Sequence, residues 1–237
     1  MPDSWHRGRL AAFDIETTGL DVDTDRVVTA AVWRIDTTTG AKSCTEWVAD
    51  PGIDIPEAAT SVHGITTEYA RTHGRPAPEV VTAVAAELGY LVGRGVPVVV
   101  FNAAYDLTLL DRELARHRRS ADLNSGLRVV DPMVLDRRVD RFRTGPRKLG
   151  DVCGHYGITL DGESAHGCRA DALAAARLAW CLAEAHEELA AMTVDELHTA
   201  QVRWRAEQAA SLQAYLRRTS DPEAVVDTRW PIIPAGG

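Results

Sequence analysis

Residues 10–20 read Leu10-Ala11-Ala12-Phe13-Asp14-Ile15-Glu16-Thr17-Thr18-Gly19-Leu20, an apolar run that takes two carboxylates one residue apart and then stops at glycine. In a strand, positions i and i+2 share a face, so Asp14 and Glu16 project side by side. Two adjacent carboxylates at the end of a core strand repel each other and lose hydration, a cost that a cation between them removes. Oxygen-only ligation suits Mg²⁺ or Mn²⁺ better than zinc. An isolated Asp-x-Glu is also what a turn cap beside a solvated glutamate looks like, so the partners must come from the rest of the chain.

A chain of 237 residues can bury one large core and carry an appendage. Its 45% apolar and 25% charged residues are those of an ordinary soluble globular protein, with disorder expected only at the two ends. The net charge of −8 argues against wholesale electrostatic binding to nucleic acid. A local basic groove, or a metal cluster that reverses the sign of an acidic site, remains compatible with it. Cys44, Cys153, Cys168 and Cys181 have no C-x-x-C spacing and no paired histidines, which points to reduced thiols and away from structural zinc. Residues 1–8 have no apolar core of signal-peptide length, and the longest aliphatic run, 96–101, is too short for a bilayer. The expected location is the cytoplasm, without membrane attachment.

After the first strand, the pattern predicts strands over 26–35 and 42–48, the latter pair antiparallel, so the chain begins as a meander. Residues 21–25 resemble the start of a calcium loop, but its sixth and twelfth positions are Arg26 and Val32, so they read as a solvated turn. A short stretch of helix formers, 58–66, carries His63 and a His-Gly turn, and Pro76 and Pro78 open a helix over 79–93. The β-branched run 96–101 reads as a strand buried on both faces. It leads through Asn102 into a helix with Leu107, Leu109, Leu110 and Leu114. Asp106 then sits at the carboxyl end of a central strand, where side chains converge on ligands in open α/β sheets, or else complements the helix dipole.

An edge strand over 127–130 and a helix from Pro132 follow, then a basic segment with Arg137, Arg138, Arg141, Arg143, Arg147 and Lys148, which is a solvated face or a phosphate-holding one. A helix over 149–156 and a loop with His166 lead to a long helix over 169–190, with Asp171 in its first turn. Thr193 to Glu196 forms a capping box for a helix over 194–218. Its stripe of Leu197, Trp204, Leu212 and Tyr215 needs cover from the domain, a second copy of the chain or a partner protein. Trp230, Ile232 and Ile233 anchor the tail.

Three blocks now stand in order: Phe13-Asp14-Ile15-Glu16-Thr17-Thr18-Gly19-Leu20, Asn102-Ala103-Ala104-Tyr105-Asp106, and Ala165-His166-Gly167-Cys168-Arg169-Ala170-Asp171-Ala172. Together they resemble the DEDDh 3′-to-5′ exonuclease superfamily over residues 8–190, departing at Phe101, where histidine is common, and at Tyr105, where phenylalanine is usual. The resemblance implies an α/β fold: an RNase H-like mixed five-stranded sheet flanked by helices, with residues 191–237 as a C-terminal helical extension. It implies two-metal hydrolysis, with Asp14 bridging two Mg²⁺ ions about 3.5 to 4 Å apart, Glu16 and Asp171 completing the first site and Asp106 helping to hold the second. Mn²⁺ should substitute.

His166, on a mobile loop, would take the proton from the attacking water. By the same resemblance Thr17, Thr18, Leu20, His63 and Asn102 contact the terminal nucleotide. The expected activity is removal of nucleoside 5′-monophosphates from the 3′ end of single-stranded or frayed DNA, as in proofreading, replication or repair. The alternative is an exoribonuclease or oligonucleotide nuclease of the same fold, since only pocket contacts read the 2′-hydroxyl. A non-catalytic nucleic-acid-binding subunit is disfavoured by the presence of all five residues.

Overall fold

The computed structural model of the chain describes residues 4–119, 123, 125–159 and 167–235. Strands β1 (Arg9–Thr17), β2 (Val27–Asp36) and β3 (Lys42–Asp50) form the expected antiparallel meander. They are followed by α1 (Glu57–His63), α2 (Thr67–His73), β4 (Arg75–Pro76), α3 (Ala77–Val92), β5 (Val98–Val99), α4 (Ala103–Arg116) and β6 (Val129–Val130). The chain ends in α5 (Pro132–Val139), α6 (Leu149–His155), α7 (Cys168–Ala185), α8 (Glu187–Ala190), α9 (Val194–Thr219) and an extended tail. The sheet is mixed, in the order β4-β3-β2-β1-β5-β6, with β5 parallel to both neighbours.

Six strands stand where five were expected. The addition is β4, two residues beside the end of β3, too short to show alternation and closed by a proline that an edge position tolerates. The seven residues of α2 are likewise too few for a periodic signal, although Thr66 caps them by accepting the Tyr69 N–H at 3.1 Å. The long helix expected over 169–190 breaks at His186, whose φ of −131° and ψ of 96° are extended, and no glycine or proline marks the break. At the N-terminal end, Trp5 and His6 are buried rather than loose, and the Trp5 indole donates to the Leu189 carbonyl at 2.9 Å.

The period-two pattern of β1 decides where its carboxylates go. Ala11, Phe13 and Ile15 face a core built with α3 and α4, while Leu10 and Ala12 face a second core built with α5, α6, α7 and α9. Asp14 and Glu16 continue the second row, so they emerge beneath α7.

The open edge of the sheet is closed from the C-terminal side. Gln201 of α9, fully buried, accepts the Asp131 N–H at 2.7 Å and donates to the Val129 carbonyl at 2.9 Å, and His198 accepts the Val129 N–H at 3.1 Å. These side chains satisfy the main chain of β6 as a seventh strand would. Leu197 and Trp204 of the predicted stripe are buried in the second core, whereas Leu212 and Tyr215, toward the end of α9, are exposed. The tail returns to the first core through Trp230 and Ile232, and Ile233 donates its N–H to the Thr108 hydroxyl at 2.9 Å. Replacing Gln201 by alanine should lower stability by about 2 kcal/mol or more, because two buried main-chain groups lose their partner. An unchanged urea midpoint would mean that the edge does not depend on this helix.

Candidate active site

Asp14 and Glu16 end β1, and Asp171 projects from the first turn of α7, so that one carboxylate oxygen from each lies within 4.8 Å of the other two. Asp106 reaches the same place from the other side. The pairing of β1 with β5 stops at Ala12 and Val99, which leaves the Ile15 N–H open; the buried Asp106 carboxylate accepts it at 3.2 Å. The strand that carries Asp14 is therefore held by one of the carboxylates that repel it.

Burial first, then the charges of Asp106, Glu16 and Asp171, push the Asp14 carboxyl well above the usual range. Burial and Asp171 push Glu16 up to about 8. Asp106 is raised by burial, against the lowering effect of the main-chain N–H groups it accepts. A set of hard oxygen donors whose ionised forms are disfavoured by each other fits a divalent cation of the Mg²⁺ class.

The head of α4 is fixed by a residue that lies outside the three motif blocks and that the sequence pattern did not single out. Asp131, buried, accepts the N–H groups of Asn102, Ala103 and Met133, each at 3.0 Å, and the Trp230 indole at 3.3 Å. An aspartate before a proline that starts a helix was the available signal for its capping role. Asn102 itself has a φ of 63°, a left-handed conformation that asparagine tolerates, and its side chain is exposed.

The loop after β1 is equally fixed. Thr17 donates to the Gly19 carbonyl at 2.7 Å, and the Tyr105 hydroxyl lies 2.6 Å from the Thr17 hydroxyl and donates to the same carbonyl. The departure at position 105 thus ties α4 to the end of β1. Thr18 donates to Asp25 at 2.7 Å, and Asp25 also accepts the Asp21 N–H at 2.8 Å. The turn read as solvated is organised around that carboxylate, which lies so close to Gly19 that a Cβ there would meet it at 2.5 Å. Leu20 protrudes, 90% exposed.

Glu16 and Asp171 open onto a cleft of about 790 Å³ whose walls include His63, Ile65, Trp47 and Arg169. His63 accepts the Ile65 N–H through Nδ1, and its buried Nε2 has no hydrogen-bond partner. Burial lowers its pKa, and the Thr17 main chain, close enough to act on the ring though outside hydrogen-bonding geometry with Nε2, opposes that shift, so the ring is neutral near pH 7 and its Nε2–H can turn to a ligand. Of the residues picked from the sequence, the structure gathers Asp14, Glu16, Asp106 and Asp171, with His63, Thr17 and Thr18 beside them. Asn102 heads α4 without lining this cleft, and His166 lies outside the described residues.

A family model described as exonuclease, that of RNase T, matches residues 11–179. A DNA polymerase III subunit epsilon-like protein of Rhodobacter capsulatus is 31% identical over 174 residues, 70% of this chain but 22% of that protein. Among solved structures, exonuclease I superposes with a TM-score of 0.64 at 18% identity, over 77% of this chain and 42% of that one. The E. coli exonuclease I complex with a dT13 oligonucleotide gives 0.63 at 17% with the same coverage. At this identity the likeness shows the fold, and the chain spans less than half the length of these exonucleases.

The raised carboxyls set a pH dependence. Between about pH 4.5 and 8 the folded, metal-free protein binds more protons at Glu16 than the unfolded chain does, so stability is full below that window and falls as pH rises through it. The melting temperature in EDTA should therefore drop from pH 5 to pH 8, and Glu16→Gln should flatten the drop. A wild-type profile already flat would show that neither burial nor Asp171 raises the Glu16 carboxyl in the folded protein.

Proposed function

We propose, because this chain belongs to the RNase T exonuclease family, that it is a metal-dependent 3′-to-5′ exonuclease acting in the cytoplasm on single-stranded or frayed DNA and releasing nucleoside 5′-monophosphates. The observation that carries the reading is the convergence of Asp14, Glu16 and Asp171 within 4.8 Å, with Asp106 bound to the strand between the first two. Asp14, Glu16 and Asp171 would hold one Mg²⁺, and Asp14 with Asp106 a second. Bound ions supply positive charge to a phosphodiester and to the leaving oxygen, and lower the pKa of water.

The chain's own groups do the rest. The open Nε2 of His63 meets the terminal nucleotide. Leu20, rigidly presented by the Thr17, Gly19 and Tyr105 hydrogen bonds, has the exposure a wedge against a base requires. Thr17 and Thr18 have their hydroxyls committed within the protein, so their contribution is through the main chain they hold in place. Asn102, exposed at the head of α4 and outside this cleft, would reach the substrate only where it extends past Asp106. His166, close before Asp171 in sequence, is the general base that takes the proton from the attacking water. Self-association through α9 would use the exposed Leu212 and Tyr215, and a monomeric full-length chain by light scattering would remove it.

The direct test is purified protein with Mg²⁺ and 3′-end substrates of matched sequence in DNA and RNA; faster loss of the RNA would replace the DNA assignment by the ribonuclease one. Asp14→Asn should abolish hydrolysis while the metal-free melting temperature holds or rises, since a ligand and a repulsion go together. His166→Ala should slow turnover by about 10² to 10⁴ with metal affinity unchanged. Near-wild-type turnover in Asp14→Asn would sink the metal assignment, and collapse of metal binding in His166→Ala would make His166 a ligand.

A further inference from the structure

The function proposed above leaves the chain's densest positive charge without a use. Residues 137–148 hold six cations against one carboxylate in a chain of net charge −8. The structure divides those cations into two sets. Arg143 and Arg147 clasp the fully buried Asp136 carboxylate at 2.7 and 2.6 Å, and Arg147 also donates to the Arg143 carbonyl at 3.2 Å. They fix the shape of the connection between α5 and α6. The other set, Arg137, Arg138, Arg141 and Lys148, makes no salt bridge among the described residues.

What that fixed connection presents is a ring and a row of cations. Phe142 is 87% exposed, with the Arg141 guanidinium 5.6 Å from its centre. Arg138 lies 5.2 Å from the Trp204 ring of α9. Arg137 is partly buried and has Arg205 of α9 and Arg147 for neighbours, with Asp131 and Asp136 also near; Asp136 is already clasped by Arg143 and Arg147, and Arg137 itself forms no salt bridge among the described residues. A run of charge that merely solvated the surface would need neither the buried Asp136 to shape it nor a phenylalanine left in water at its tip. Cations spaced for phosphates around an aromatic face for a base are how single strands are held without regard to sequence, the stacked base contributing about 1–3 kcal/mol. A duplex keeps its bases stacked inside and offers such a ring nothing.

The place is right as well. Helix α5 starts beside Asp131, the carboxylate that holds the head of α4 near Asp106, and its 8 residues span only about 12 Å before the basic connection begins. We propose that Arg137, Arg141, Phe142 and Lys148, with Arg205, form a ridge that grips single-stranded nucleic acid on the 5′ side of the nucleotide being removed. The ridge rests on the exonuclease reading and adds to it a second holding point on the same strand, outside the cleft.

The test compares the full chain with Arg141→Ala/Lys148→Ala and, separately, Phe142→Ala, exposed positions where substitution costs little stability. Turnover is measured on the p-nitrophenyl ester of thymidine 5′-monophosphate, too small to leave the active site, and on oligothymidylate of about 12 nucleotides, within the site size of a single-strand groove. Binding of the labelled oligonucleotide is followed against salt in an Asp14→Asn background. Ester turnover should stay within about twofold while KM for the oligonucleotide rises by an order of magnitude or so. The slope of log Kd against log salt should fall by about 1.4 in the double variant, about 0.7 for each phosphate no longer neutralised. Phe142→Ala should weaken binding with the slope unchanged. Unchanged oligonucleotide binding, equal losses on both substrates, or an equal loss on a blunt duplex would each overturn the ridge. Wild-type protein inert on both substrates would instead remove the exonuclease reading, and the salt slopes would still decide the ridge.

Discussion

Burial first, and then the charges of three neighbouring carboxylates, oppose the ionisation of Asp14, and the surrounding structure holds that arrangement from three sides. The sheet holds it through the alternation of β1, which commits Ala11, Phe13 and Ile15 to one core and therefore Asp14 and Glu16 to the other face. Helix α7 brings Asp171 because its alanine- and leucine-rich face packs on that same side. Helix α4 brings Asp106, and the hydrogen bond from the Ile15 N–H locks it to the strand. The stability lost at this cluster is small beside the burial of two cores, so the fold tolerates it, and a divalent cation bound among these oxygens would reverse it.

The route from the C-terminus to the site runs through Asp131. Gln201 of α9 and the Trp230 indole of the tail both bond to this residue, at its N–H and its carboxylate, and the carboxylate in turn holds the N–H groups that begin α4. Helix α9 and the tail are therefore part of what positions Asp106, although they lie beyond the stretch matched by the family model. Tyr105 does a comparable job on the near side, where its hydroxyl joins α4 to the loop that presents Leu20.

The elements that the sequence made legible are those with enough residues to show a period: β1 to β3, α3, α4, α7 and α9. The capping box at Thr193 and the β-branched run before Asn102 placed their elements to within a few residues. Strand β4 and helix α2 were too short for periodicity, and the break at His186 carries no residue that disfavours helix. The carboxylates of the site were legible because charge in an apolar run is costly and so conspicuous. Asp25 and Asp131 were not, since an aspartate in a turn looks the same whether water or buried main chain surrounds it. What distinguishes them is the partner each meets in the fold, Gly19's missing side chain six residues back for Asp25 and the distant head of α4 for Asp131.

The central claim is that these carboxyls keep protons for want of a cation, and proton release on metal binding tests it most directly. Calorimetric titration of the protein with Mn²⁺ at pH 7, in two buffers of different ionisation enthalpy, counts the protons released. With Glu16 raised to about 8 and Asp14 raised beside it, binding should release about one proton or more per chain, and the number should shrink as pH rises past 8. Tight binding with no proton release, or no binding at all, would contradict the account.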